Sequence, residues 1–343
     1  MADADTRIAI NGQVIMKLNR ITSARMLILG ICGTLAMQVA EATSCTNATL
    51  NFSTSALESV VKEPERVLAE EGLFWEEEPA QHFTRLWAEA VNHQIDYEKW
   101  RSDVALLMDL SEEERINHGL VRMTNGIVNG QKPFLKQALP YVCSYLPEGA
   151  NLDVSIYFTA YIPARSFLWE GIVINVSAPY WHGNPDNIFN NLLHEIWHVG
   201  YAKHREFRTE EVTVDAARYD MLDTLHNEGF ATHVGYRSNS IFHAPDEKDY
   251  LLLEDPDDVA RLLRVINDLF AQVDVLSSDD LDRLTWDQGV IGRAFYVVGA
   301  LMAQTIEDAL GKQALIDTVS AGPINFINLY NSLANVDAKI IYQ

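Results

Sequence analysis

Asn191-Leu-Leu-His194-Glu195-Ile-Trp-His198-Val-Gly200 is the stretch on which the reading of this chain turns. It reads as an amphipathic helix, begun by Asn184 or Asp186 at the end of the loop Ala178-Pro-Tyr-Trp-His-Gly-Asn-Pro-Asp186. On a helix, positions i and i+4 share a face one turn apart, so the imidazoles of His194 and His198 can reach a single ion with Glu195 beside it. Zinc uses that geometry. Two His and a third protein ligand leave a fourth position for water, whose pKa the metal lowers while the Glu accepts its proton. Ten His and 48 acidic residues among 343 give roughly 0.04 chance occurrences of this H-E-x-x-H pattern. The competing reading, a core helix with two hydrogen-bonded histidines, leaves His194, Glu195 and His198 half-buried together without a role.

Two residues compete for the third ligand position. His204 follows His198 by six residues, the spacing of HExxHxxGxxH. That pattern needs glycine at its eighth position to turn the chain back, whereas here Gly200 is seventh and Tyr201 eighth. His204 is therefore expected at the surface or behind the ligands. Glu228, in Leu225-His-Asn-Glu228-Gly-Phe-Ala-Thr-His233, lies 30 residues after His198 on a second helix expected over 213–236. Met221, Leu225, Glu228 and Thr232 share one face there, and a lone carboxylate in an apolar stripe is costly unless paired or metal-bound. His182, His226 and His233 also lie near these motifs, and lone histidines on apolar helices are more often hydrogen-bonded structure than ligands; His233 is assigned at most a supporting role behind the ligands.

Further out, residues 56–146 have helical texture, with Leu86, Ala90 and Val91 at helical spacing and a capping box at Ser111-Glu-Glu-Glu114. Short β-branched and aromatic runs at 153–160 and 171–177 predict strands, and Asn175 and Tyr157 on them could border a cleft. Helical periodicity returns over 256–275 and 289–310, where Gly311 is placed as a C-cap. Residues 43–55, rich in Ser, Thr and Asn, read as a linker. The fold class expected is α+β: a mostly helical, zincin-like single domain over 56–343, with a helical part at 56–146, a small mixed or antiparallel sheet and the HExxH helix at 151–204, and a helical C-terminal part at 213–343.

At the N-terminus, Lys17, Arg20 and Arg25 precede the apolar run Met26–Met37, and Ala40-Glu-Ala42 has the small-x-small form of a signal-peptidase site. Residues 1–42 read as a signal peptide and the protein as exported, periplasmic or secreted. An uncleaved anchor, or lipid attachment at Cys45 in Ala-Thr-Ser-Cys45, is the alternative, and beyond these no stable membrane insertion is expected. Cys45 and Cys143 could form one disulfide in an oxidising compartment, but two cysteines without CxxC make neither a zinc knuckle nor a disulfide scaffold. The formal charge of −22, from 48 acidic and 26 basic residues, repels phosphate backbones, so nucleic acid is not an expected partner. The 48% of apolar residues, with 13 Phe, 13 Tyr and 7 Trp, supply enough surface for a compact core.

HEIWH, followed by NEGFATH and then by Arg293-Ala-Phe-Tyr296-Val-Val-Gly299-Ala300, resembles a bacterial family of zinc-dependent peptidases within the gluzincin group, in layout across roughly residues 60 to 340. The resemblance implies Zn2+ held by His194, His198 and Glu228, with Glu195 as general base and a peptide or protein as substrate. Tyr296 in Tyr-x-x-Gly-Ala is similar to the gluzincin aminopeptidase segment whose tyrosine hydroxyl stabilises the oxyanion, a donor typically worth ~3 kcal/mol. The same spacing of Phe295, Tyr296, Val298 and Leu301 also describes any buried helix. Arg293, one turn earlier, is expected to pair with a structural acid such as Asp287 or to hold a substrate carboxylate. A zinc hydrolase acting on amide bonds is the function expected. Its rival is a non-catalytic, zinc-stabilised binding protein of the cell envelope, whose metal would be closed by four protein ligands.

Expression with secretion in a bacterial host followed by N-terminal sequencing is expected to give a mature chain starting near Thr43. A soluble cytosolic product that retains Met26–Met37 would show that no export signal operates.

Overall fold

The computed structural model describes residues 45–90, 93–204, 216–242, 244 and 247–342. The signal-peptide segment, Val91 and residues 213–215 of the second expected ligand helix lie outside the described residues. In chain order the elements are β1 (Cys45–Ser53), α1 (Ser55–Lys62), α2 (Pro64–Ala69), α3 (Glu71–Glu77), α4 (Pro79–Ala90), α5 (Tyr97–Ala105), α6 (Glu112–Asn117) and α7 (Gly119–Cys143). Then follow β2 (Ala150–Thr159), β3 (Ser166–Leu168), β4 (Ile172–Asn175), α8 (Pro185–His204), α9 (Ala216–Arg237), α10 (Lys248–Glu254) and α11 (Pro256–Gln272). The chain closes with α12 (Ser278–Leu284), a π-helical stretch (Thr285–Ile291), α13 (Ala294–Leu310), α14 (Lys312–Ala321) and α15 (Pro323–Leu333). The fold is α+β, mostly helical with one small sheet. Among the described residues no single helix is long and apolar enough to cross a membrane.

The residues group into two compact units, each made of separate stretches. The first holds residues 49–137 and 153–188. Its sheet has the order β1-β2-β4-β3, with β2 and β4 parallel in the register Ile156↔Ile172 to Thr159↔Asn175, and β3 antiparallel to β4 through Phe167↔Val173. The sheet is therefore mixed. Ile172, Val173 and Ile174 are all buried, as expected of a strand flanked on both sides, while Val154, Ile156 and Phe158 alternate with more exposed neighbours along β2. Trp87 of α4 stacks on Phe167 at 5.0 Å, and Phe52 lies between Phe158 and Phe134 of α7, at 5.9 Å from each.

Two expectations need correction in this part of the chain. Residues 43–55 are not a linker where they are described: Cys45–Ser53 is β1, because Leu50 and Phe52 supply apolar side chains that the Ser/Thr/Asn count hid. The three-residue strand β3 went unseen because it is too short to show a period. The capping box is present, with the Ser111 amide and hydroxyl donating to Glu114 Oε2 and the Glu114 amide donating back to Ser111 Oγ. Asn184, one of the two expected caps, opens α8 by accepting the Asp186 amide at 3.0 Å.

The second unit holds residues 45–48, 138–152 and 189–342. Its centre is the crossing of α9 and α13. A Cβ on Gly229 would sit 2.2 Å from Gly299 Cα, and one on Gly299 would sit 2.2 Å from Leu225 O, so the two backbones touch where only glycine fits. Farther along the same helices, Glu307 Oε2 accepts from His233 Nε2 at 2.6 Å and from Arg237 Nε at 3.2 Å. The helix expected over 289–310 is interrupted: the π-helical stretch ends at Gly292, Arg293 takes φ 68°, and α13 begins at Ala294. Gly311 ends α13 at φ 87°, its amide donating to Glu307 O, as a C-cap should.

Cys45 and Cys143 are joined as a disulfide with their Cα atoms 5.5 Å apart, closing a loop of 98 residues. That sulfur is then not available for lipid attachment. Cross-linking so long a loop is worth about 4–5 kcal/mol through the unfolded chain. Cys143→Ser, or reduction of the wild type, is expected to lower the thermal midpoint markedly in calorimetry. Equal midpoints with and without reductant would mean that the bond does not contribute.

Candidate metal centre

His194, Glu195 and His198 lie on α8, and all three are buried; His194, at 9% exposure, is the most open of them. The α8 helix is held from several sides within the second unit. One turn before His194, Asn190 donates to Gly235 O and accepts from Tyr250 OH at 2.6 Å. Trp197 donates to Tyr145 O at 3.2 Å, and Leu146 occupies the space beside Gly200, where a Cβ would meet its Cδ1 at 2.4 Å. Gly200 thus serves close packing and α8 continues through it to His204. The turn a third histidine would need is absent, and His204 Nε2 instead accepts the Asn151 amide at 3.2 Å. Burial, with Lys203 nearby, pushes His204 below its ordinary pKa, consistent with a neutral acceptor.

Glu228 is brought to the two histidines by the α9–α13 crossing, since it precedes Gly229 directly. His194 Nε2 and His198 Nε2 are 2.9 Å apart, and Glu228 Oε2 lies 3.3 Å from each. It is aligned for a hydrogen bond with neither, so a buried carboxylate oxygen has no donor. His198 Nδ1 lies 2.9 Å from Asn227 Oδ1, and the tautomer that donates there leaves a lone pair on Nε2. With both imidazoles in the tautomer that leaves Nε2 unprotonated, three acceptors converge on one point. Tetrahedral ligands at zinc's usual 2.0–2.1 Å stand about 3.3–3.4 Å apart, close to the observed 2.9, 3.3 and 3.3 Å. His194, His198 and Glu228 form the group that could hold a metal among the described residues, with their ligand atoms within 4.8 Å of one another.

Electrostatics agrees with the geometry. Burial would lower His198, but the Glu228 carboxylate outweighs it, with Glu195 and Asn227 adding to the effect, and pushes His198 up to about 9. Burial likewise works to raise Glu228, yet the charges of His198 and His194 hold it well below the usual carboxylate range. The site attracts positive charge, and a zinc ion bound by two imidazoles and a carboxylate answers that demand.

The remaining expected site residues are distributed as follows. Tyr296 is buried, its ring 6.1 Å from that of His194 at an interplanar angle of 12°. Burial, with Glu228 nearby, pushes its hydroxyl pKa far up, so it stays protonated. Glu195 is buried next to His194, and its charge is felt at both His198 and Tyr296. Arg293 does pair with a structural acid, but the acid is Asp249 rather than Asp287. His226 lies 3.0 Å from Thr318 Oγ1 and 3.2 Å from Tyr201 OH, while His233 serves Glu307 instead of the ligand group. In the first unit, Asn175 donates to Ile162 O and accepts from Ser177, Tyr157 packs edge-on to Phe83 at 5.2 Å, and His182 is exposed at φ 50°. The sequence reading missed Asn227, whose one available signal was its place beside Glu228, and Asp249, which carried none.

The family described as "Putative zinc dependent peptidase (DUF5700)" matches residues 89–339, well over half of the chain. The chain belongs to that family. The described metal group falls inside the matched DUF5700 region, and zinc is the metal its name gives. No curated protein and no solved structure matches the chain.

Glu228→Ala is expected to abolish stoichiometric zinc in a metal-content assay, while His204→Ala leaves it largely intact. Gly299→Ala, which drives a methyl into Leu225 O, is expected to cost about 3 kcal/mol or more and to weaken zinc binding with it. Zinc retained by Glu228→Ala but lost by His204→Ala would reverse the ligand assignment.

Proposed function

We propose that this protein is a zinc-dependent hydrolase of the gluzincin type, zincin-like in fold, that cleaves amide bonds of peptides or proteins. The observation that carries the reading is the convergence of His194 Nε2, His198 Nε2 and Glu228 Oε2 with no hydrogen-bond donor for that oxygen. Zinc, when bound there, would supply an electrophile that acidifies water and polarises a carbonyl. Glu195, the residue after the first ligand, is not a member of the ligand group and has the chemistry of a general base. Its carboxylate takes the proton of the attacking water and returns it to the leaving amine nitrogen. Tyr296, kept protonated by burial, is suited to donate to the oxyanion as negative charge moves onto the former carbonyl oxygen.

The rival, a zinc-stabilised binding protein, would close its metal with a fourth protein ligand. Among the described residues the group has three members, and His204 is engaged elsewhere, which favours a site open to water and substrate. Export to the periplasm or beyond is part of the same proposal, supported by the disulfide, which persists in oxidising compartments. The acid excess argues against nucleic acid as a substrate.

Glu195→Gln separates enzyme from binder. Zinc content and thermal midpoint are expected to stay near wild type while hydrolysis of a peptide selected from a mixed library falls roughly 10²–10⁴-fold. A zinc-loaded Glu195→Gln protein that cleaves that peptide at the wild-type rate would remove Glu195 as the base.

A further inference from the structure

Arg293 combines features that are individually uncommon. It is a non-glycine residue at φ 68°, placed directly after a π-helical stretch and Gly292. Left-handed backbone in a residue with a Cβ, and π-helical turns, are costly and concentrate where a side chain must be aimed. The adjoining glycines are sterically required: a Cβ on Gly292 would meet Gln288 O at 2.4 Å, and one on Gly289 would meet the Phe295 ring at 2.2 Å. The side chain that results is held twice. Arg293 Nε and Nη2 donate to the two carboxylate oxygens of Asp249 at 2.7 and 2.5 Å, and Asp249 is itself buried. Its guanidinium carbon stands 3.2 Å over the centroid of the Tyr296 ring, whose plane lies near parallel to that of His194.

We infer that Arg293 is a positioning residue for Tyr296: braced by Asp249, its guanidinium fixes the phenol ring against His194. This rests on the hydrolase reading for its consequence and on geometry for its substance. A phenol has two rotatable side-chain torsions, and a ring with a guanidinium carbon 3.2 Å from its centroid cannot turn about the first without losing that contact. A fork-shaped cation is needed, because Lys can neither grip Asp249 through two nitrogens nor lie flat on the ring. An ordinary buried salt bridge would stabilise α10 against the start of α13 and leave the behaviour of Tyr296 untouched.

The test uses full-length, zinc-loaded protein with 3-fluorotyrosine placed at position 296, read by fluorine NMR. The wild-type signal is expected to be a single narrow line, and Arg293→Met and Arg293→Lys are expected to broaden or split it at unchanged zinc content. Where Arg293→Met fails to fold, Asp249→Asn, which keeps the cation but loosens its brace, is expected to give the same change in milder form. An unaltered line in a folded, zinc-loaded Arg293 or Asp249 variant would overturn the inference. With a peptide substrate in hand, Arg293→Met is expected to lower kcat roughly 10–100-fold, the scale of a misplaced group, with KM little changed. In a Tyr296→Phe background it should lower kcat by less than about 2-fold, since the two residues act as one. Equal losses in both backgrounds would overturn it as well. If wild-type protein cleaves nothing, the hydrolase reading fails, and the fluorine signal still decides whether Arg293 positions Tyr296.

Discussion

The backbone contact between Gly229 and Gly299 is the constraint from which the rest of the second unit follows. Helices normally cross with side chains between them, at 8–10 Å. Here any Cβ at the contact would lie 2.2 Å from the opposing backbone. The residue before the first glycine is Glu228, and Tyr296 lies almost one turn before the second. A close crossing therefore brings a carboxylate and a phenol to the same stretch of α8, around His194, without a loop to carry either one. Loops are where chains acquire mobility, and a ligand set held on helix interiors keeps its geometry.

Paired charge, half-buried at Glu307, tightens the same pair of helices. Glu307 accepts from His233 and Arg237 of α9, while Arg237 Nη2 reaches Asp308 at 2.5 Å. Burial lowers the His233 pKa despite the Glu307 carboxylate beside it, so its Nε2–H donates to the carboxylate as a neutral group. The opposite end of α13 carries the Arg293–Asp249 pair, also largely withdrawn from water. Such pairs contribute little net stability against an apolar packing of equal volume, but breaking one strands a charge. They help to fix the register of α9, which carries Glu228, against α13, which carries Tyr296.

How much of this was legible depends on whether the signal was local. The HExxH spacing sits within one helix, so its geometry follows from 3.6 residues per turn. Gly200 at the seventh position was enough to place His204 apart from the His194, His198 and Glu228 group. Glu228 was legible because an acid in an apolar stripe is anomalous. Asn227 and Asp249 were not, because a hydrogen bond spanning 29 residues and an ion pair spanning 44 leave no periodicity behind. Arg293 fell between: its need for an acid was readable, its choice of Asp249 over Asp287 was not. The break at Gly292 was hidden for a related reason, since a π-helical stretch and an α-helix share nearly the same apolar pattern. In the sheet, β1 was masked by composition, because Ser, Thr and Asn signal loops only when no apolar alternation runs through them.

The candidate metal site is also a folding problem. Two imidazole nitrogens and a carboxylate oxygen face one another, the Glu228 Oε2 atom lacking a donor, at positions between 1% and 9% exposed. Leaving such acceptors unmatched costs on the order of 1–3 kcal/mol each, more for a charged group. A proton shared near His198 relieves part of that, which is why its pKa rises. A divalent cation relieves all of it, because it satisfies every acceptor at once and needs no alignment of N–H bonds. The glycine crossing forces the acceptors together, and the charge they create selects what can sit among them. Glu195 is set apart by the same helix geometry: adjacent in sequence to His194, it is buried yet lies outside the group of three.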